Sequence, residues 1–426
     1  DQRLSRGLGD VYKRQMAAMS NASFASLTRG YLNEARVLVV KVGSALLVDG
    51  ETGAVRSQWL ESLAADIAGL ARQNCRVVVV SSGAIALGRH QLERGSGKLK
   101  LEEKQAAAAI GQIRLASEWQ RVFRQFDLDT AQILLSPDDT ETRRRHLNAR
   151  ATLQTLLGRG IIPVVNENDT VATMEIRYGD NDRLAARVAQ MVSADALILL
   201  SDIDGLYSTD PRQNPDGEHL AEITSIDDRI LAMAGPANAD YASGGMITKI
   251  EAARIATNAG CHMVICNGHA SSPIDRLMAG GRCSWFRAAS NPPQARKQWI
   301  AAGLKPTGTI TIDAGAARAL SLGKSLLAAG ITGIDGGFER GDLVAVCDAS
   351  GAELGRGLSH YSAEDAARIA GCNSSAIQGI LGYRGRDEVI HADDLVLTQK
   401  RGENAPADHH LGIEGSDNRG PHDGDN

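Results

Sequence analysis

Between residues 36 and 285, short apolar runs alternate with longer stretches whose apolar positions recur every three or four residues. Val37–Val42 is apolar at every position but Lys41 and reads as a buried strand. Residues 57–73 set Leu60, Leu63, Ile67 and Leu70 at 3-4-3 spacing, which predicts one buried helix face. Further strands are expected at 77–80, 131–135, 161–165, 196–200 and 263–266. Helices are expected at 102–126, 140–158, 182–193 and 246–258, with another opening at Ile85. In 182–193, Leu184, Val188 and Met191 share one side. Strands apolar throughout, alternating with amphipathic helices, predict an α/β fold: a mostly parallel sheet sandwiched by helices.

The pattern breaks at 286–306, where Pro292, Pro293 and Pro306 occur without a long apolar run, so this segment reads as a linker. Beyond it, 307–398 has short strands such as 309–312 and 389–390, many glycines, and one or two short helices, including 362–370. This predicts a smaller β-rich second domain. Residues 399–426 are polar and rich in Gly, Asp and Asn, the composition of a disordered tail. Residues 1–35 read as a disordered leader, partly non-native: 1–15 resemble translated adapter sequence, and Met16 or Met19 is the expected initiator.

Composition narrows the picture little. The chain has 426 residues, enough for two domains, and is 43% hydrophobic and 23% charged. A net charge of −5 is no nucleic-acid footprint. Six scattered cysteines without a CxxC pair fit reduced thiols in a cytoplasmic protein. No apolar run approaches the ~20 residues of a membrane span.

The chemistry sits just after the strands, where an open α/β sheet presents its ligand-binding edge. Lys41, Gly43 and Ser44 end the first apolar run; Ser82 and Gly83 end the second. Asn166-Glu167-Asn168-Asp169 and Gly179-Asp180-Asn181-Asp182 follow a later one, and Gly244-Gly245-Met246-Ile247-Thr248-Lys249 opens a helix. Glycine turns admit phosphate close to backbone N–H groups, and two lysines supply the positive charge that phosphoryl transfer needs. The Asp/Asn loops suit a small zwitterion: carboxylates for its ammonium, amides for its carboxylate. No Walker loop, protein-kinase motif set or GxGxxG fingerprint is present, and none of the ten histidines lies in these clusters. An acceptor already ionised, such as a carboxylate with a solution pKa of about 4.3, needs no general base.

Taken together and in order, VVKVGS (39–44), SSGAIALG (81–88), LNAR (147–150), PVVNENDTVAT (163–173), GDND (179–182), LLSDIDGLY (199–207), DPR (210–212) and SGGMITK (243–249) resemble the bacterial glutamate 5-kinase family. In the second domain GTITIDAGA (308–316), RGDLV (340–344) and ILGY (380–383) extend the likeness. The resemblance implies an amino-acid-kinase domain over 36–285 and a PUA-like domain over 307–398. It implies ATP-dependent phosphorylation of the side-chain carboxylate of L-glutamate, the first step of proline biosynthesis, with Mg²⁺ accompanying ATP. By position it assigns glutamate contacts to Ser82, Asp169 and Asn181, and places Asp180 in the same site. It assigns nucleotide contacts to Lys41, Gly43, Ser44, Ser201, Asp202 and the run Ser243, Gly244, Gly245, Met246, Ile247, Thr248 and Lys249. It gives Lys41 and Lys249 the stabilisation of the transferred phosphoryl, and Asp182 their orientation. No protein metal ligand is assigned. The chain departs from the family pattern at Ser201 and Ser243, where Thr is commoner, and at Ala45, where a hydroxyl is commoner. Further implications are inhibition by proline, a homo-oligomer, and glutamyl phosphate reductase as the consumer of a labile product. Segment 170–180 is expected to be a loop that closes over either ligand.

Two other readings compete. PUA domains often bind RNA, but 307–398 carries seven basic against twelve acidic residues, which disfavours an RNA surface. Another kinase of this fold, acting on N-acetylglutamate, aspartate or a nucleoside monophosphate, is disfavoured by the second domain and by the paired Asn/Asp loops.

Overall fold

The protein is described as a computed structural model over residues 20–92, 99–171, 181–234, 245–302 and 305–398. Eight strands form the main sheet: β1 (Val37–Val42), β2 (Arg76–Ser81), β3 (Thr130–Leu135), β4 (Ile162–Glu167), β5 (Ala196–Ser201), β6 (Glu222–Ile223), β7 (His262–Asn267) and β8 (Cys283–Phe286). Their order is β3-β4-β2-β1-β5-β7-β8-β6. The first six in that order are parallel neighbours. β8 runs antiparallel to β7, and β6 pairs parallel with β8. β1, β4 and β5 are buried at all six positions, as strands covered on both faces must be.

The covering helices are α1 (Asn21–Leu32), α2 (Ser57–Arg72), α3 (Ala84–Arg89), α4 (Leu101–Arg124), α5 (Arg143–Gly158), α6 (Asn181–Val192) and α7 (Met246–Asn258). Strand alternation sorts the core into two layers. Leu38, Val40 and Val42 pack with α2 and α4 residues such as Leu63 and Trp119. Val37 and Val39 pack with Leu184 and Val188 of α6 and Ile250 and Ala253 of α7. Lys41 follows Val37 and Val39 in this alternation, so β1 directs its ammonium toward α6 and α7.

Two expected boundaries are corrected. The leader is not disordered throughout: Ser20 accepts a hydrogen bond from Ser23 N–H and caps helix α1, which buries Phe24, Thr28 and Leu32 at i, i+4, i+8 spacing. Trp285 Nε1 donates to Thr28 Oγ1 at 3.2 Å, tying this helix to β8. The 286–306 linker is not plain coil: Phe286 completes β8 and Pro292–Ala302 forms helix α8. Its prolines fall in the first turn, where a missing N–H costs nothing. Residues 1–19 and 399–426, expected as disordered leader and tail, lie outside the described residues.

Helices α3 and α4 meet at a glycine pair. A Cβ on Gly88 would lie 1.9 Å from the carbonyl oxygen of Ala107, and one on Gly111 would lie 1.8 Å from that of Ala84. Both obstacles are backbone, which cannot rotate aside. Gly111→Val is expected to cost about 3 kcal/mol by forcing the helices apart; a urea midpoint equal to that of the wild type would show that they can separate freely.

In the second domain, β9 (Gly308–Ile312), β10 (Ile331–Gly336), β11 (Leu343–Cys347), β12 (Glu353–Leu358) and β13 (Leu395–Leu397) form a sheet of order β10-β9-β11-β12-β13. Ile310, Ile312, Val344, Val346, Val389 and Ile390 belong to its own core. A buried ionic cluster joins the two halves. Asp394 receives Arg150 of α5 (Nη1 to Oδ1, 3.2 Å), Arg296 of α8 (Nε to Oδ1, 2.7 Å) and His360 (Nε2 to Oδ2, 3.4 Å). Burial alone would raise its carboxyl, but the His360 hydrogen bond and the charges of Arg296 and Arg150 outweigh that and hold it well below the usual carboxylate range.

Candidate active site

Four adjacent parallel strands, β4-β2-β1-β5, end at one edge of the sheet. Their ends deliver Asn166 and Glu167, Ser81, Lys41 and Val42, and Ser201 to the same edge. β1 lies at the centre, flanked by β2 and β5, the place where an open α/β sheet leaves a crevice between diverging connections.

Asp182, in the first turn of α6 and wholly buried, is the hub. Lys41 Nζ lies 2.5 Å from its Oδ1 and Lys249 Nζ 2.9 Å from its Oδ2. Thr248 Oγ1 stands 3.3 Å from Oδ2. Both lysines are nearly buried, at 5% and 9% exposure. Burial would raise the Asp182 carboxyl, but Lys41 and then Lys249 overcome it and hold the group well below the usual range. One carboxylate thus fixes two ammonium groups from different elements at the sheet edge.

Gly245 caps α7: its N–H donates to Thr248 Oγ1 at 3.3 Å, and that hydroxyl donates back to the Gly245 carbonyl at 2.9 Å. This sets Lys249 in the first turn, behind N–H groups that have no helical partner. Met246 and Ile247 open the same turn, half-buried. Gly43 leaves β1 beside the Lys41 ammonium, and exposed Ser44 begins the next turn. Ala45 is exposed in the same turn and offers no hydroxyl. Buried Ser201 donates to Asp202 Oδ1 at 3.1 Å, and Arg212 Nη2 reaches Asp202 Oδ2 at 3.3 Å.

A chain of amides forms the other half. Asn181 Nδ2 donates to Ser82 Oγ at 2.7 Å and to Asn166 Oδ1 at 2.8 Å. Asn166 Nδ2 in turn donates to Gln112 Oε1 at 2.8 Å. Ser82 is presented by a sharp turn: Gly83 has φ 118°, a region open to glycine, and caps α3. Trp119 Nε1 donates to Ser81 Oγ at 2.9 Å and braces the same turn from α4. Half-buried Asp169 stands just past the end of β4. Asp180, Ser243, Gly244 and residues 172–180 of the loop expected over 170–180 lie outside the described residues.

Lys41, Lys249, Asp182 and Thr248 therefore come together, as do Ser82 and Asn181. Gln112 was missed by motif reading. Its signal was a polar residue on the buried face of α4, four positions after Ala108 and three before Leu115. Five of the six cysteines are buried and all are free thiols. Among the described residues no helix is long and apolar enough to cross a membrane.

A parallel sheet whose edge carries two lysines on one aspartate, glycine turns and an amide chain defines a small-molecule kinase. The chain belongs to the amino acid kinase family, whose sequence model matches residues 36–267; that of the PUA domain matches 308–381. Within the family its relatives are glutamate 5-kinases. It is 59% identical over 366 residues to glutamate 5-kinase of Paramagnetospirillum magneticum, covering 86% of this chain and 99% of that one. It is 56% identical to that of Gluconobacter oxydans (86% and 97% covered) and 56% identical to that of Nitrobacter winogradskyi (89% and 100% covered).

Proposed function

We propose that this kinase transfers the γ-phosphoryl of ATP to the side-chain carboxylate of L-glutamate, forming L-glutamyl 5-phosphate and ADP at the entry to proline biosynthesis. The observation that carries the reading is the pairing of the Lys41–Asp182–Lys249 hub with the Ser82–Asn181–Asn166 chain, since Asp182 and Asn181 are consecutive in α6. A carboxylate oxygen attacks the γ-phosphorus as the bond to the β-phosphate oxygen breaks. No proton moves, so a site without a general base suffices. The two ammonium groups meet charge on the transferring phosphoryl, and the α7 N-terminus faces phosphate oxygens. The amide chain and Asp169 bind the amino acid. Mg²⁺ fits as a companion of the nucleotide phosphates, with Asp182 engaged by both lysines. Buried free thiols support a cytoplasmic setting.

Assay with free glutamate against N-acetylglutamate tests the acceptor: activity on the acetylated substrate alone would overturn the assignment. Asn181→Ala removes the amide that holds Ser82 and Asn166 in this chain, a loss of roughly 1–3 kcal/mol. It is expected to raise the KM for glutamate far more than that for ATP; equal increases would place Asn181 elsewhere. Free L-proline shares glutamate's α-carboxylate and ammonium but lacks the acceptor group, so it should inhibit in competition with glutamate. Inhibition that glutamate cannot relieve would point to a separate proline site. The acyl phosphate is prone to hydrolysis, so a reductase should consume it promptly.

A further inference from the structure

A cavity of about 490 Å³ opens between helix α5 and the second domain, away from the Lys41–Asp182–Lys249 hub. Four arginines line it: Arg144 from the first turn of α5, and Arg340, Arg384 and Arg386 from the second domain. The surroundings make this concentration unusual. Residues 307–398 hold twelve acidic and seven basic side chains, yet three of the seven basic ones gather here. Of the remaining arginines, Arg356 pairs with Glu353 elsewhere in the domain, and Arg368 pairs with Asp365 beside the cleft. The two acids on the cavity wall offset little. Asp365 already accepts the Tyr383 hydroxyl at 2.8 Å and faces Arg368 at 3.7 Å; beside it only Glu339 on the wall and Glu388, 3.7 Å from Arg386, meet the four guanidinium groups.

Arg340 registers this crowding of positive charge. Its Nε is buried with no hydrogen-bond partner among the described residues. Burial, then the neighbouring charges of Arg386 and Arg144, push its guanidinium below the ordinary range. Like charges gathered in a concave, partly desolvated place repel one another, and a bound polyanion turns that repulsion into attraction. Guanidinium forks match phosphate oxygens two at a time, and four forks exceed what one carboxylate can use. Tyr383, 47% exposed at the rim, presents an aromatic ring on which a planar base can stack. The volume suits a small molecule.

We propose that this inter-domain cleft is a second ligand site, for a free nucleoside polyphosphate, distinct from the phosphoryl-transfer centre. The same arginines could suggest an RNA strand, but a strand needs an extended basic track, and the domain outside the cleft is acidic. Because Arg144 belongs to α5 and the other three to the second domain, the ligand bridges the two halves.

Equilibrium dialysis of the full chain with a non-hydrolysable ATP analogue tests this. Two molecules per chain are expected for the wild type. Arg340→Gln/Arg386→Gln should weaken the second site at least about tenfold while the kinetic KM for ATP stays put. Arg384→Gln, on the exposed rim, should weaken it about threefold without risk to folding. One molecule per chain in the wild type, or an unchanged second site in both variants, would overturn the proposal. So would a single-stranded RNA of about twenty nucleotides that binds these arginines more tightly than the analogue does.

Discussion

Replacing Lys41 with methionine is expected to lower kcat about 100- to 1000-fold while the protein stays folded. Methionine keeps the length and apolar stem of lysine and removes only the charge. Lys249 still pairs with Asp182 at 2.9 Å, so the buried carboxylate keeps a counter-ion and the fold persists. What is lost is an ammonium group where charge develops in the transition state, so the KM values should move less than kcat. Lys249→Met should behave alike. The double variant should cost less than the product of the two single losses, because both lysines act through one aspartate. Asp182→Asn is harsher in kind: it leaves two buried ammonium groups facing each other and should lower both activity and thermal midpoint. Steady-state kinetics beside a melting curve separates these cases. Near-normal turnover by folded Lys41→Met would remove Lys41 from the chemistry.

The largest effect on stability is expected far from that centre, at Asp394. Asp394→Asn leaves Arg150 and Arg296 without their counter-charge where the two halves meet, and breaking a buried pair in this way costs about 3–5 kcal/mol. The Asp394 carboxyl is depressed on folding, so its contribution is present in full above the unfolded value of about 3.9 and is lost as pH falls through the folded value. The difference between wild type and variant, read from denaturant midpoints, should be constant near neutrality and shrink below about pH 4. A difference that persists undiminished in acid would mean the loss comes from packing and not from charge.

Lys41, Lys249, Asp182, Ser82 and Asn181 were legible because each follows a strand-like run or opens a helix, and parallel topology carries such positions to one edge. Lys41 was also visible as the single charge in Val37–Val42. Gln112 was not, because it sits in mid-helix, and only the tertiary contact with Asn166 gives it a role. Helix α1 was hidden by Gly30 and its serines and threonine, whose helix propensities are weak; burial of Phe24 and Leu32 against the sheet overrides them. Helix α8 was hidden by two prolines that turned out to start it and not to forbid it. The Asp394 cluster could not be read at all: its members are separated by up to 244 positions, and nothing local marks them.

That separation bears on how the chain is made. Arg150 leaves the ribosome early, and Asp394 follows 244 residues later. At about 5–20 residues per second, the interval is on the order of ten seconds to a minute. During it the kinase half can collapse around its sheet, but Arg150 has to stay solvated and the face that will receive the second domain has to stay open. The last described strand therefore acts as a seal applied at the end of synthesis, and a nascent chain stalled short of Asp394 should be more sensitive to protease at α5 than the released protein.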